Sequence, residues 1–552
     1  MAHHFAVHIK QHKATEAATS PAPAWRGVVL LWVVLACMGV AGLAAQRVST
    51  QKGIGVSPDS FAYLGAAHSL RAGNGLAIPW DADAASAGRP MTHWPPLYPA
   101  LLAATGCVGL DSLNAGSWLN GIIFAVSILA FGGLIGHATR KPWCAALAAF
   151  LLLASADFLS VHTWIWSEPL FICFCLFFLY LMHRYVDDPR MGVLLASAGA
   201  AGLAMLTRYA GMALLATGVA AIGLFGPKPW LRRLRHGAIF AAVSCIPLAA
   251  WLIRNSMAGS AGTGRTFCWH PITIDQVLTG FRTVSAWVLP KEAPGTLQDG
   301  LVITMIVVLA FTVPALMGRH RREVLDGIGA RWKAPCLFSI FGIAYAASVV
   351  VSVSIFDANT PLNSRILSPL FVAGAGLAVC LAGMLRDVRR PAGTFLLRMI
   401  AAVALWNAVV WCGWISERRT DGCGYTASGW ESSPLTAYLR TVPADAPICT
   451  NAPGVVFFRL GGRECRRLPA AVILTQARPN PEFIDELNAM WEDMVKRDGV
   501  IAFYYRGDMQ GLPTGADLRE MLPLKMAAQY PEETAYVADE RMRRRSDEGM
   551  KR

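Results

Sequence analysis

The sequence predicts an all-α polytopic membrane protein with about 11 transmembrane helices, followed by a small soluble α/β domain. Of its 552 residues, 54% are hydrophobic and only 15% are charged, whereas charged residues make up about 25% of an ordinary soluble domain. The mean hydropathy is +0.42. The apolar residues are gathered into segments of roughly 20, the length that crosses the hydrocarbon core of a bilayer as a helix. Composition and segment length together indicate that most of the chain lies in a membrane.

Eleven apolar segments, some of them short, are predicted to be membrane spans. They are residues 26–45, 115–137, 143–156, 169–185, 191–207, 210–226, 237–254, 299–317, 334–355, 367–385 and 395–416. The polar leader 1–24 is too long for the charged start of a signal peptide, so the first segment is predicted to be an uncleaved anchor. The domain between 25 and 416 is therefore predicted to be the membrane domain.

Basic residues indicate the orientation of these spans. They are concentrated in the turns after the even-numbered segments, for example Arg232, Arg233 and Arg235, whereas the short turns on the opposite side hold only Arg208 and Arg365. Because basic turns stay in the cytoplasm, the amino terminus is predicted to be inside and the carboxyl terminus outside. The outer loops 46–114 and 255–298 and the tail 417–552 then face the same outer compartment.

The tail is predicted to fold as a small soluble α/β domain. Apolar residues recur at helical spacing over 481–497, and the run Val500 to Tyr504 is typical of a buried strand. Cys449 and Cys465 would face an oxidising compartment, and the sequence leaves open whether they form a disulfide.

Two function classes are disfavoured by the sequence. The net charge of +13 could suggest nucleic acid, but the basic residues are dispersed in turns between spans, so no nucleic-acid partner is predicted. No phosphate-binding loop of the G-x-x-x-x-G-K-[ST] type occurs, which argues against ATP hydrolysis as an energy source.

The outer loop after the first span carries the most informative residues. Ser57 is predicted to cap a short helix that Pro58 begins, with Asp59 in its first turn. A carboxylate at this position can simply complement the helix dipole, which is worth about 0.3–1 kcal/mol. It can equally be a reactive group at the membrane surface, and the loop alone does not decide between the two.

Other charged residues lie at the same predicted end of the spans. Glu168 begins the fourth span, Arg208 occupies the turn between the fifth and sixth, and Arg365 begins the tenth, with Arg254 and Arg265 near the end of the seventh. An arginine at a span end usually extends its charge to the interface, but Arg208 and Arg365 run against the charge bias of their side. Guanidinium groups close to carboxylates form a plausible site for a phosphate and a reactive hydroxyl.

Several motifs in order resemble the C-type membrane glycosyltransferases, and most of all the bacterial relatives of protein O-mannosyltransferase and lipid A aminoarabinose transferase. The first is a D-x-x-x-Y-x-x-x-A-x-x-L-x-x-G-x-G pattern from Asp59 to Gly75, followed by W-P-P-L-Y-P at 94–99. S-E-P-L-F at 167–171, the T-R-Y turn at Arg208, W-L-I-R-N at 251–255 and S-R-I-L-S-P at 364–369 follow in the same order. The resemblance extends from about residue 27 to 370.

The resemblance implies a sugar donor carried on a polyprenyl phosphate and an active site on the periplasmic face of the bacterial inner membrane. The acceptor would be an envelope glycan, lipid or protein. Asp59 would be the catalytic general base for an inverting transfer, and Arg365, with Arg265 or Arg208, would hold the departing phosphate.

Further roles follow from the same resemblance. Tyr63, His93 and Trp94 would line the substrate pocket, although Trp94 is equally typical of an interfacial anchor. Glu168 would orient the acceptor or share a divalent metal ion with Asp59. This chain has one acidic residue in Pro58-Asp59-Ser60 where many relatives have an adjacent acidic pair, so the need for a metal is left open.

A secondary transporter or flippase for a lipid-linked or small anionic substrate is the main alternative, and a non-catalytic receptor is another. Transporters place ionisable residues near the middle of the membrane and often show inverted repeats. The spans here are almost free of charge and show no internal repeat. A glycosyltransferase is therefore the favoured interpretation.

Overall fold

The computed structural model describes residues 24–78, 89–106, 109–258, 263, 265–289, 294–300, 303, 332–463, 465–507 and 509–539. The leader 1–24 and the predicted span 299–317 fall almost wholly outside these residues. Every other predicted span coincides with one or two helices.

Helices α1 to α14 form the membrane part and its outer loops. Their bounds are α1 Ala24–Ser49, α2 Pro58–Arg71, α3 Leu97–Thr105, α4 Ser112–Thr139, α5 Pro142–Leu153, α6 Ala156–His162, α7 Glu168–Asp187, α8 Met191–Thr207, α9 Met212–Phe225, α10 Trp230–Met257, α11 Ile274–Ser285, α12 Lys333–Ile355, α13 Ser364–Val388 and α14 Arg390–Asp421. Within the described residues, 7 helices are long and apolar enough to cross a bilayer singly, and the bent pair α5 and α6 makes up to 8. The chain is thus a multi-pass membrane protein, while the count of 11 spans stays a prediction.

The helices approach one another closely at glycines. A Cβ atom at Gly376 of α13 would overlap the Phe338 ring of α12, and one at Gly218 of α9 would overlap the Phe240 ring of α10. Small residues have this role in membranes because helix association there depends on packing rather than on the hydrophobic effect. The aromatic side chains that fill these grooves are fully buried.

The turn between α8 and α9 is unusually tight. Helix α8 ends at Thr207. The next residue, Arg208, has an extended backbone, and a single 3-10 turn over Tyr209–Gly211 leads directly into α9. A side chain at Gly211 would meet the backbone of Ala204 and Met205. This turn holds Arg208 at the end of the bundle.

The segment between α1 and α4, predicted to be the first outer loop, lies across the same end of the bundle. Helices α2 and α3 pack together through Tyr63, Leu64, Tyr98 and Leu102, and strands β1 (Ala77–Ile78) and β2 (Arg89–Pro90) form a short antiparallel pair. Arg254, at the end of α10, donates hydrogen bonds to the carbonyl oxygens beside these strands at 2.8 and 3.1 Å. The loop is thereby tied to the seventh predicted span.

The C-terminal part contains a five-stranded mixed sheet. Its strands are β3 Ile448–Thr450, β4 Arg466–Arg467, β7 Val500–Tyr504, β8 Leu524–Tyr530 and β9 Glu533–Ala538, in the order β4-β3-β7-β9-β8. The hairpin β5 (Val472–Ile473) and β6 (Arg478–Pro479) lies outside this sheet, and the helices are α15 Pro434–Leu439, α16 Pro453–Arg459, α17 Phe483–Lys496 and α18 Gly515–Met521. The helix predicted over 481–497 and the strand predicted over 500–504 are confirmed. That residues 417–552 form a separate domain stays a prediction.

Cys449 and Cys465 do not form a disulfide with each other. Cys449 lies opposite Arg466 in the parallel register of β3 and β4, so Cys465 is one residue out of step and its side chain points to the other face. Cys449 packs among Leu487 and Met494, and Cys465 packs against the core on the opposite side of the sheet. The disulfide that the sequence left open does not form.

The predicted orientation is testable by cysteine labelling. In Asn74→Cys, an exposed position after α2, a membrane-impermeant maleimide should label the protein in intact spheroplasts. In Asp188→Cys, an exposed position after α7, labelling should require permeabilised membranes. The parent chain gives the background from its own cysteines. Labelling of Asp188→Cys but not of Asn74→Cys in intact spheroplasts would show that the predicted orientation is the wrong way round.

Candidate functional site

The site begins with the cap of helix α2. The Ser57 side chain accepts a hydrogen bond from the Ser60 backbone, and the Ser60 side chain accepts one from the Ser57 backbone, which is the reciprocal arrangement of a capping box. The Trp166 indole also donates to Ser57 Oγ at 2.8 Å. The predicted cap is confirmed, and it fixes Asp59 in the first helical turn.

Arg365 joins Asp59 to Glu168. Its Nη2 donates to Asp59 Oδ2 at 2.6 Å and its Nε donates to Glu168 Oε1 at 2.5 Å. Asn363 caps α13 by accepting hydrogen bonds from the Arg365 and Ile366 backbone amides, which positions Arg365 in the first turn. The Arg365 guanidinium also lies 4.3 Å from the centroid of the Trp166 ring, a cation–π contact.

Arg208 completes an ionic network of four side chains, Asp59, Glu168, Arg208 and Arg365. Its Nη1 lies 2.5 Å from Glu168 Oε1, the same oxygen that Arg365 contacts. Glu168 is only 2% exposed, whereas Asp59 is 31% exposed. The network is therefore buried at Glu168 and open at Asp59.

The charges around Asp59 keep it ionised. Burial raises the pKa of Asp59, but the charge and hydrogen bond of Arg365 lower it. Arg208 and His93 lower it further, and the pKa lies below its ordinary value. At neutral pH, Asp59 is thus a carboxylate whose Oδ2 is held by Arg365.

The pKa of Tyr63 moves in the opposite direction. Burial raises it, and the negative charges of Asp59 and Glu168 raise it further. Its hydroxyl lies 3.1 Å from Ser167 Oγ. Tyr63 therefore remains protonated and can donate a hydrogen bond.

A cavity of about 1040 Å³ opens above the ionic network. The lining includes all the predicted site residues except one, namely Asp59, Tyr63, His93, Trp94, Arg208, Arg265 and Arg365. The exception is Glu168, which lies behind the two arginines that contact it. The structure thus brings together eight residues that the sequence singled out.

Trp94 lies in the cavity wall. Its ring packs edge-on against Tyr63, with 6.1 Å between centroids, and against His93, with 4.7 Å between centroids. These three side chains form one aromatic wall beside Asp59.

Arg265 is a cation in this cavity that has no anionic partner among the described residues. It forms no ion pair with any other described residue, and its Nε is buried without a hydrogen bond. Burial lowers the pKa of its guanidinium, and Asp357, although too distant for an ion pair, raises it. Since two guanidiniums already neutralise Asp59 and Glu168, Arg265 supplies a positive charge that an anionic ligand can satisfy.

Sequence reasoning missed the roof of the cavity. The C-terminal part forms this roof with Asn451, Arg467 and the segment 472–475. The membrane part adds Tyr209 and Tyr345 to the lining. The roof is joined to the floor by Phe61 of α2, which packs against Phe457 and Phe458 of α16. Nothing local in the tail sequence indicated these contacts, because they depend on how the tail folds over α2.

The described residues do not fit a divalent ion shared by Asp59 and Glu168. The guanidinium of Arg365 occupies the space between the two carboxylates, and a third ligand group is not found beside them in the described part of the chain. The one set of three potential metal ligands among the described residues lies elsewhere, at His137, His183 and Asp187.

Comparison with known proteins identifies the fold. The sequence matches no protein-family model and no curated protein. The structure is similar to ArnT from Cupriavidus metallidurans bound to undecaprenyl phosphate, with a TM-score of 0.53 and 15% identity over 93% of this chain and 98% of ArnT. It is also similar to the archaeal oligosaccharyltransferase AglB from Archaeoglobus fulgidus.

The AglB complex with an inhibitory peptide and a dolichol-phosphate gives a TM-score of 0.50 and 12% identity, over 94% of this chain and 75% of AglB. The Archaeoglobus fulgidus oligosaccharyltransferase complex with Zn and sulfate gives a TM-score of 0.51 and 11% identity, over 86% of this chain and 68% of that protein. At these identities the likeness shows a shared fold. The chain thus shares the fold of ArnT and AglB, in agreement with the resemblance found in the sequence motifs.

The ionic network should contribute to stability as well as to the site. Glu168→Gln removes a buried charge that lies between two partly exposed guanidiniums, and breaking a buried ion pair costs about 3–5 kcal/mol. We expect the purified protein in detergent to unfold several degrees lower than the parent. Glu431→Gln is the matched control, because Glu431 is 56% exposed beside Arg459 and exposed pairs contribute at most about 1 kcal/mol. Equal unfolding temperatures for the two variants would contradict a stabilising role of the ionic network.

Proposed function

We propose that the protein is an inverting glycosyltransferase of the bacterial inner membrane. It moves a sugar from a polyprenyl-phosphate donor to an envelope acceptor on the periplasmic face. The observation that carries this proposal is an ionised carboxylate, Asp59, beside guanidinium groups in a cavity at one end of the helical bundle. The solved structures of the same fold contain undecaprenyl phosphate or dolichol-phosphate, which supports a lipid-linked donor.

The cavity has an apolar side that suits a polyprenyl chain. Met212, Leu248 and Leu252, from α9 and α10, line this side, and α10 is largely exposed along its apolar length. A lipid chain lying along these helices would bring its phosphate to the polar end of the cavity. Arg265, which pairs with no anion in the described part of the chain, is our proposed phosphate ligand, with Arg208 and Arg365 behind it.

Asp59 is proposed to act as the general base. Arg365 holds Oδ2, which leaves Oδ1 to accept the proton of the acceptor hydroxyl. As that proton leaves, the acceptor oxygen attacks the anomeric carbon from the face opposite the phosphate, and the bond between that carbon and the phosphate oxygen breaks. The leaving polyprenyl phosphate gains negative charge, which the guanidiniums stabilise. The anomeric configuration is inverted.

The remaining predicted residues are assigned to substrate binding. The aromatic wall of Tyr63, His93 and Trp94 provides apolar faces and polar edges beside Asp59, as a sugar requires. Glu168 is assigned a positioning role, since it contacts both guanidiniums but does not line the cavity. The acceptor would enter beneath the roof that the tail provides, where Arg467 is exposed.

The proposal includes the predicted organisation of the chain. Residues 25–416 would form the catalytic membrane domain, with outer loops 46–114 and 255–298, and residues 417–552 a periplasmic domain. The transporter or flippase alternative gains no support from the described residues, because their ionic network lies at the end of the bundle and not near the middle of the spans. A required metal ion is not part of this proposal.

Replacement of Asp59 tests the base. Asp59→Asn should reduce sugar transfer by about 10²–10⁴-fold, measured with purified protein, a radiolabelled polyprenyl-phosphate sugar and an envelope extract as the acceptor. Asp275→Asn is a matched control, because Asp275 also lies in the first turn of a helix with a capping box but is exposed. If Asp59 only complements the helix dipole, the two variants will lose similarly little activity.

Replacement of Arg265 tests the phosphate ligand. Arg265→Ala removes a charge-assisted hydrogen bond to the donor, so kcat/KM for the donor should fall by about 10- to 100-fold. Arg282→Ala is the control, since Arg282 is an exposed arginine of α11. A donor kcat/KM within twofold of that of Arg282→Ala would remove Arg265 from the phosphate site.

A further inference from the structure

A cluster of His137, His183 and Asp187 lies away from the cavity. His137 is in the last turn of α4, and His183 and Asp187 are one turn apart at the end of α7. Helix α7 begins at Glu168 and has 20 residues, so the cluster lies about 28 Å along the helix from the ionic network. The basic residues nearby, Arg140 and Arg184, belong to the predicted cytoplasmic turns.

The three side chains converge. One ligand atom from each lies within 4.8 Å of the corresponding atoms of the other two. His183 Nδ1 lies 3.6 Å from Asp187 Oδ2, and the rings of His137 and His183 meet edge to face. His183 and Asp187 alone could be ordinary neighbours on one helix. The third potential ligand, His137, comes from a different helix and points to the same place.

His183 provides a second, independent observation. The residue is only 3% exposed, and its Nδ1 has no hydrogen-bond partner, because 3.6 Å from Asp187 is too long for one. A buried ring nitrogen without a partner is unfavourable. The atom points into the cluster, where a ligand would satisfy it.

The surroundings restrict what that ligand can be. Lys333 Nζ already lies 3.2 Å from Asp187 Oδ1 and donates to the Val186 carbonyl at 3.0 Å, leaving Oδ2 toward His183. Hard cations such as Ca²⁺ and Mg²⁺ need several oxygen ligands, whereas this cluster offers two ring nitrogens and the one carboxylate oxygen that faces His183. Two imidazoles and one carboxylate oxygen instead suit a transition metal that forms bonds to nitrogen.

We propose that His137, His183 and Asp187 bind one zinc ion, which joins the ends of α4 and α7. Tetrahedral zinc with bonds of about 2.0–2.1 Å requires ligand atoms roughly 3.4 Å apart. The separation of 3.6 Å between His183 and Asp187 matches this requirement. Rotation of the exposed His137 side chain would shorten its distances to the other two ligand atoms from within 4.8 Å to the same value. Water would supply the fourth ligand, and the site would act structurally, apart from sugar transfer.

The test is metal binding by the full chain, purified without a polyhistidine tag. Because the leader also contains His3, His4, His8 and His12, all four are replaced by alanine in every protein compared. We expect this parent to bind one Zn²⁺ per chain by elemental analysis, and Co²⁺ to give visible absorption that Zn²⁺ abolishes. His137→Ala should lower the affinity for either ion by at least about tenfold.

The matched control is His68→Ala, which removes an exposed histidine of α2, far from the cluster, and should leave binding unchanged. Asp187→Asn is a second ligand variant that keeps the shape of the side chain and should behave as His137→Ala. The proposal is overturned if the parent binds no stoichiometric Zn²⁺, or if both ligand variants bind Zn²⁺ and Co²⁺ as His68→Ala does.

Discussion

The contact of Arg365 with both Asp59 and Glu168 is the interaction on which the candidate site depends. It joins residues 306 and 197 positions apart in the chain, and so connects the first outer loop, the start of α7 and the start of α13. It also fixes one carboxylate oxygen of Asp59 and keeps that residue ionised in the wall of the cavity. Without it, α2 would carry an unpaired acidic residue across the end of the bundle.

The network is unevenly solvated, and this asymmetry suits a reaction that creates charge. Glu168 is buried between two guanidiniums, which fixes their positions before a substrate arrives. Asp59 is partly open to the cavity, and Arg265 brings an additional positive charge that pairs with no anion among the described residues, while its Nε is buried without a hydrogen bond. Charged groups fixed in advance stabilise a developing phosphate charge more effectively than groups that must reorganise during the reaction.

Local sequence signals predicted local structure well. The apolar segments predicted the helices, Ser57 and Pro58 predicted the start of α2, and the anomalous charges of Arg208 and Arg365 predicted two members of the site. The pairing of Arg365 with Glu168, the support from Trp166 and the cavity roof were out of reach, because each joins segments far apart in the chain. Whether Cys449 and Cys465 form a disulfide depends on the register of β3 and β4, and no pattern in the tail sequence specifies that register.

The central claim is that this cavity receives the phosphate of a polyprenyl donor beside Asp59. The most direct measurement is an experimental structure of the full chain with bound polyprenyl phosphate. The account predicts that the phosphate lies within hydrogen-bond distance of Arg265, on the cavity side of Arg208 and Arg365, with the lipid chain along α9 and α10. A phosphate bound at the opposite end of the bundle, or a cavity closed to the lipid by the tail, would contradict it.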